Sequence, residues 1–251
     1  MKLKQTALKS VSAMGLALAL CGPASAEELG ISFNIGATTD YVFRGFSQSA
    51  ADPVAQGGLD VTYGMFYAGV WGSGIDFGTG APNAEVDFYT GITPTFANIN
   101  FDLGVIYYVY PNAPDAGAEL DYLELKAGAS TTVLEKLGIG ATVYYSPEYT
   151  AKGGRVWTVE GTASYELPKI RGIVPSISGT VGTSISDNDP QFITAFSDDS
   201  YVYWNAGITL GVEKLSFDFR YWDTDVSKSG FCSGSTFQCD ERFSFTAKFT
   251  Y

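Results

Sequence analysis

Two carboxylates on alternate residues, Glu85 and Asp87, are the most obvious candidates for acid–base chemistry in this chain. In an extended strand, side chains at i and i+2 project to one face, so the two groups would lie close together. The 251 residues include no histidine. This excludes Ser–His triads, Asp–His activation of water and histidine metal sites. Because i, i+2 acid pairs are also common on polar strand faces, we expect no enzyme activity and no catalytic residue.

Two cysteines and a group of aspartates suggest structural chemistry instead. Cys232 and Cys239 lie in FCSGSTFQCDE, where an oxidising compartment would favour a disulfide. It would close a loop of about eight residues, worth about 2.5 kcal/mol in the chain-entropy model. The acidic segment DNDPQFITAFSDDS matches no calcium-loop spacing, so we expect a solvated loop. Nor does GSGIDFG precede a helix that could hold a phosphate. We therefore predict no metal and no cofactor.

Alternating apolar and polar residues dominate the rest of the chain, as is typical of strands. The final stretch, RFSFTAKFTY, alternates strictly from Arg242 to Tyr251. We count twelve such segments: Gly30–Phe43, Val54–Tyr63, Phe66–Ser73, Ala84–Phe96, Ile99–Tyr110, Leu120–Val133, Leu137–Ser146, Arg155–Leu167, Ile173–Ser186, Tyr201–Val212, Leu215–Asp225 and Arg242–Tyr251.

The connections between these segments alternate in length, which favours an all-β, transmembrane, antiparallel up-and-down β-barrel. Short connections follow every even segment, and long polar connections follow every odd segment. Barrels of the outer membrane have short periplasmic turns and longer extracellular loops. The alternatives are a soluble β-sandwich and a lipocalin-like barrel, which bury their apolar face inside. Nearly charge-free apolar faces, with aromatic residues gathered near strand ends, favour the membrane barrel.

The last segment has the features of a closing strand. Its apolar set would face lipid, and its polar set would face the lumen. The aromatic residues Phe249 and Tyr251 resemble the C-terminal signal by which bacterial barrels are recognised for insertion. We therefore expect the barrel-assembly machinery and the outer-membrane lipid as partners.

Successive side chains of a strand point to opposite faces, and this alternation (strand parity) assigns eight acids and four bases to the lumen. An acidic lumen would favour cations, but the same charges could pair, stiffen the barrel and fill it. Both interpretations stay open. The assigned residues are Asp60, Glu85, Asp87, Asp102, Glu124, Glu160, Glu166 and Asp218, with Lys126, Arg220, Arg242 and Lys248.

The N-terminus and the overall charge indicate an exported protein. Three lysines precede an apolar run from Val11 to Leu20, and Ala24-Ser25-Ala26 follows. This pattern predicts a secretory signal peptide over residues 1–26 and a barrel over residues 27–251. A lipoprotein signal at Cys21 is the less favoured alternative. The net charge of −12 argues against binding to nucleic acid.

Several blocks carry a family resemblance, among them TTDYVFRGFSQS from Thr38, FYAGVWGSGIDF from Phe66 and AEVDFYTGI from Ala84. They resemble the TorF family, a proteobacterial family classed with outer-membrane porins but of unknown function. The resemblance implies an outer-membrane barrel with a porin role, and it brings no catalytic residue and no known substrate. Arg44, in DYVFRG, would be a charge of the first loop or the rim, or part of a structural ion pair.

Together these observations predict a porin-like channel in the bacterial outer membrane, reached by export through the periplasm. Small polar solutes, with a lean toward cations, would diffuse through it passively. The alternative is a plugged barrel that acts as a structural or adhesive surface protein. Tyrosines that point inward would fill the lumen of such a barrel. By strand parity these include Tyr89, Tyr108, Tyr110 and Tyr122.

Overall fold

The structure, a computed structural model, is a closed antiparallel β-barrel of twelve long strands. It describes residues 29–78, 82–113, 119–187, 189–196, 198–226, 232, 234 and 236–251, so the expected signal peptide lies outside the described residues. The long strands are β1 Leu29–Thr38, β4 Val54–Tyr63, β5 Phe66–Gly74, β6 Ala84–Ile92, β8 Ile99–Val109, β9 Tyr122–Val133, β10 Leu137–Ser146, β11 Val156–Glu166, β12 Val174–Ser186, β13 Ser200–Val212, β14 Leu215–Thr224 and β15 Arg242–Thr250.

The barrel closes where β1 pairs with β15, in a register that runs from Asn34 opposite Thr250 to Thr38 opposite Thr246. Each of the other long strands pairs with the long strands before and after it in sequence. Three further strands have only two residues each. Of these, β2 Val42–Phe43 and β3 Phe46–Ser47 form a hairpin of their own. The third, β7 Thr95–Phe96, continues the line of β6 beyond Pro94, whose ring nitrogen has no hydrogen to donate to the ladder.

The two faces of the barrel differ as the alternation predicts. Apolar side chains cover the outside, and many are widely exposed; Ile31 is 63% exposed and Ile35 is 61% exposed. Buried polar residues such as Asp87 and Glu124 alternate with them on the inside. A soluble barrel would bury its apolar set, so this inverted arrangement is the one that suits lipid.

Short turns lie at one end of the barrel and long connections at the other. The strands match the twelve predicted segments within a few residues, with one informative exception. The first segment was expected to run to Phe43, but β1 ends at Thr38. The chain then folds into the barrel as the β2–β3 hairpin.

In the described parts of the long connections, residues Thr150–Lys152 form a 3-10 turn and Pro190–Phe196 form the helix α1. The helix α1 lies in the segment that we expected to be only a solvated acidic loop. Asp189 accepts hydrogen bonds from the backbone of Gln191 and Phe192 at its start, which satisfies free N–H groups of the first turn. Within the described ranges, no helix is long and apolar enough to span a membrane.

A charge on the outer face should destabilise the barrel more than the same charge on the inner face. Val159 of β11 faces outward and is 42% exposed, whereas Thr162 has the opposite parity. We expect Val159→Arg to lower the free energy of unfolding in lipid vesicles by about 2–4 kcal/mol. Thr162→Arg should cost much less, because water and Glu160 are close by. Equal costs in urea titrations of the two variants would contradict the assignment of the faces.

Candidate functional site in the barrel interior

The first long connection, residues 39–53, folds into the barrel and is called loop 1 here. Phe43 pairs with Phe46 in its hairpin, so Arg44 and Gly45 form a two-residue turn. Both have positive φ values, 48° and 87°, as a type I′ turn requires. A Cβ on Gly45 would collide with the side chain of Thr224. Glycine is therefore needed at this turn for its conformation and for the close approach to β14.

Arg44 makes the central contact of loop 1 with the barrel wall. Its two terminal nitrogens donate to the two carboxylate oxygens of Glu124 at 2.8 and 2.9 Å. Both side chains are almost fully buried, at 3% and 1% exposure. Tyr108 also donates to Glu124, at 3.0 Å. Burial alone would lower the pKa of Arg44, but the Glu124 carboxylate outweighs burial and raises that pKa above its usual value.

Aromatic rings complete the surroundings of this guanidinium. The Cζ atom of Arg44 lies 4.7 Å from the ring centroid of Phe43 and 4.9 Å from that of Tyr144. Both distances fall within the range of cation–π attraction. Arg44 is therefore fixed by charge, by a two-pronged hydrogen bond and by ring contacts. Of the two hypotheses for Arg44, a rim charge or a structural ion pair, the structure supports the ion pair.

Tyr41 forms a second anchor for loop 1. Its hydroxyl donates to Glu85 at 2.6 Å, and its ring packs edge-on against Trp71 at 5.4 Å between centroids. Burial, followed by the nearby Glu85 and Asp87 carboxylates, raises the pKa of Tyr41 well above its usual value. The phenol therefore keeps its proton and remains a donor.

Asp87 differs from the other interior acids. It is 1% exposed, and neither carboxylate oxygen has a hydrogen-bond partner. Its cross-strand neighbours are Trp71 on β5 and Tyr108 on β8. With Glu85 and Glu124, it forms a group of three buried acids beneath loop 1, which we call the acidic cluster.

Two further pairs of interior charges form between nearby residues. Asp102 accepts from Lys126 at 2.6 Å and from Tyr67 at 2.8 Å. Asp218 and Arg220 form a second buried pair, 3.0 Å apart. Among the described residues, no three acidic or cysteine side chains are grouped so as to hold a metal ion.

Other predicted lumen residues are more dispersed. Asp60 accepts from Tyr89, and Glu160 accepts from Tyr203 at 2.7 Å. Glu166 is exposed near the short turns. Arg242 pairs with Asp40 of loop 1 at 3.2 Å, and Lys248 is half-buried opposite Ser216.

The interior narrows from the short-turn end to the long-loop end. On β11, Thr158 is buried and Glu160 is half-buried, whereas Thr162 and Ser164 are exposed. Thr132 on β9 is likewise exposed. We call the open region lined by Thr132, Thr162 and Ser164 the vestibule.

Aromatic packing fills the narrow end. Phe46 of loop 1 packs edge-on against Phe196 of α1 and Tyr201 of β13, with centroids 5.1 and 5.3 Å apart. Tyr108 and Tyr122 stack at 4.3 Å. The Cys232–Cys239 disulfide, predicted from the sequence, is present at this end, and Cys239 is 2% exposed.

The C-terminal aromatic residues lie at the opposite end, beside the barrel seam. Phe249 is within 6.2 Å of Phe33, and Tyr251 stacks on Phe33 at 5.5 Å between centroids. The Nζ atom of Lys214 lies 3.4 Å above the Tyr251 ring. Their role as an insertion signal remains a prediction.

Sequence reasoning missed the inward fold of loop 1. A usable signal is the Arg-Gly pair between Phe43 and Phe46, because a two-residue turn ending in glycine indicates a hairpin. Pairing of Arg44 with Glu124, 80 residues away, has no local signal.

A family model described as "Bacterial protein of unknown function (Gcw_chp)" matches residues 21–251. Among solved structures, a KdgM porin aligns with a TM-score of 0.56 at 6% identity, over 88% of this chain and 99% of that one. A NanC porin aligns with a TM-score of 0.53 at 10% identity, over 88% and 98%. At such identities the likeness shows the fold alone. No curated protein matches, and the TorF resemblance stays a prediction.

The Arg44–Glu124 pair should hold loop 1 inside the barrel. Arg44→Met would leave Glu124 buried without its cation, a loss of about 3–5 kcal/mol in the free energy of loop opening. Amide hydrogen exchange at Gln48, whose N–H donates to Tyr41, should accelerate by about 10²–10³ or more. Arg155→Ala, which removes an exposed pair with Asp187, is the control and should leave Gln48 unchanged. Unaltered exchange in Arg44→Met would show that ring packing alone holds the loop.

Proposed function

We propose that this chain, which belongs to the Gcw_chp family of bacterial proteins of unknown function, is an outer-membrane channel for passive diffusion of small polar solutes. In this proposal, residues 1–26 direct export, and the barrel-assembly machinery inserts the barrel. The short turns face the periplasm and the long loops face outside. The overlap with the KdgM and NanC porins supports the fold that such a channel needs.

The observation that carries the proposal is the division of the interior into the open, polar vestibule and a constricted half filled by loop 1. A plug that served only to seal the barrel would have no need of an open polar vestibule. Here the vestibule leads to a constriction in which polar side chains still line a small cavity beside loop 1. Asp40, Gln56, Arg220 and Ser244 are among its lining residues.

The charges at the constriction support a lean toward cations. Beneath loop 1 the acidic cluster contains three carboxylates, and Arg44 is the base paired there. An excess of fixed negative charge in a narrow, partly dry passage attracts cations and repels anions. Asp87 is the acid of this cluster that no ion pair or hydrogen bond occupies, so its oxygens would be available to a passing cation.

A plugged barrel is the second candidate, and loop 1 is the observation that favours it. Its buried residues include Tyr41, Phe46 and Ser49, and its contacts reach several strands. Such a filled end would suit a surface protein without pore activity.

Current through single molecules in a planar bilayer, under a KCl gradient, tests the channel. We expect discrete steps and a reversal potential on the cation side. Asp87→Asn should move that potential toward zero, because it replaces the carboxyl group of the constriction that no ion pair or hydrogen bond occupies. Glu135→Gln, in an exposed short turn, is the control and should change it little. An anion-side potential in the unmodified protein would refute the cation lean.

Replacing residues 40–50 with a short Gly-Ser linker separates the two candidates. Removal of the constriction should raise the conductance several-fold while the heat-modifiable migration of a folded barrel persists. If the unmodified protein is silent and only the shortened protein conducts, the barrel is plugged. If both proteins insert and neither conducts, loop 1 is not the barrier.

A further inference from the structure

We propose that the wall around Arg44 is a recognition site for the guanidinium group of a solute, and that Arg44 occupies it as a tethered ligand. The inference rests on the proposed channel and names the class of solute that its constriction would select. Arg44 belongs to loop 1, whereas the groups that hold it belong to the barrel wall. Removal of the loop would therefore leave the binding groups in place.

The wall provides what a guanidinium ion needs. Glu124 on β9 offers two oxygens at 2.8 and 2.9 Å in a parallel arrangement, the geometry that suits the planar fork of guanidinium. Tyr144 on the neighbouring strand β10 offers a ring face at 4.9 Å. Tyr108 donates to Glu124 and so fixes the position of its carboxylate. The glutamate is 1% exposed, so its carboxylate group lies where a partner cation is strongly favoured.

Asp87 supplies an independent indication that the acidic cluster can accept a cation. Other interior acids accept hydrogen bonds: Asp60 from Tyr89, Asp102 from Lys126, Asp218 from Thr209. Both oxygens of Asp87 lack a partner although the side chain is buried. Burying a carboxylate without donors is unfavourable. Asp87 flanks Tyr108 in the β6–β8 register, on the same wall as Glu124. The two oxygens of Asp87 are therefore unused acceptors that a cationic donor entering the acidic cluster could satisfy.

The chemistry favours a guanidinium over a metal ion or a simple ammonium. Bare metal ions require several oxygen ligands at once, and among the described residues no three acids, those of the acidic cluster included, are grouped so that they could hold a metal ion. An ammonium ion would make a point contact and could not fill both oxygens of Glu124 side by side. A guanidinium can use both oxygens and still stack on Tyr144.

The strand that carries Tyr144 has small inward residues on its vestibule side. On β10, the inward residues between the short turn and Tyr144 are Gly138, Gly140 and Thr142, and none has a long side chain. A small planar cation could therefore approach the Tyr144 ring along this strand. It would then compete with Arg44 for Glu124, and its arrival would release loop 1.

Equilibrium binding tests this competition without relying on a current. The refolded protein in detergent micelles is titrated calorimetrically with methylguanidinium chloride at constant ionic strength, and with methylammonium chloride as the comparison. We expect the unmodified protein to bind methylguanidinium weakly and at least tenfold more tightly than methylammonium. Arg44→Ala should bind it at least tenfold more tightly again, because the tethered competitor is gone.

Matched variants make the result specific. Glu124→Gln should abolish the preference for methylguanidinium, and Arg155→Ala should bind like the unmodified protein. Heat-modifiable migration confirms that each variant is folded. If Arg44→Ala does not fold, Arg44→Lys serves in its place, since lysine keeps the charge but loses the fork, and its affinity should be intermediate.

The proposal fails if methylguanidinium binds only to Arg44→Ala, because Arg44 is then a structural residue that no solute displaces. It also fails if the two cations bind equally well, or if neither binds. Binding without any conductance would contradict the proposed channel but support the guanidinium site. Conductance without binding would contradict the guanidinium site but support the channel.

Discussion

Closure of the sheet at the β1–β15 seam is the constraint on which the rest of the structure depends. In lipid, each unpaired backbone N–H or C=O costs several kcal/mol, so a sheet can span a bilayer only without free edges. Pairing of Asn34 with Thr250 through Thr38 with Thr246 removes both edges. Once the register of this seam is set, parity decides which residue of every strand meets lipid and which meets the interior.

The interior then faces a problem that a soluble core does not have, because polar side chains must be satisfied in a confined space. The chain meets it mainly with local pairs, such as Asp102 with Lys126 and Asp218 with Arg220. Tyrosines reach across to acids that lack a base, as Tyr203 does to Glu160. Small residues make room for these reaching side chains: a Cβ on Gly69 would lie 2.5 Å from the Tyr89 ring. In the acidic cluster, the base comes from loop 1 instead of a neighbouring strand, because Arg44 pairs with Glu124.

The sequence allowed the barrel to be predicted nearly strand by strand, since alternation and connection length are local properties. Val54–Tyr63 and Leu137–Ser146 even have the predicted bounds. Side-chain parity placed Asp87 and Glu124 on the inner face for the same reason. What the sequence could not provide was the partner of each charge. Arg44 and Glu124 meet across the barrel, and Arg242 binds Asp40 from 202 residues away. These pairings depend on loop 1 turning inward, which strand periodicity does not encode.

The contacts of loop 1 are distinct from the hydrogen bonds that hold the sheet together. Tyr41 donates to Glu85 of β6, Arg44 pairs with Glu124 of β9, Phe46 packs on Tyr201 of β13 and Asp40 pairs with Arg242 of β15. All four are side-chain contacts, so breaking them would leave every strand pairing of the barrel in place. The free energy that keeps loop 1 inside the barrel is therefore separate from the free energy that keeps the barrel closed.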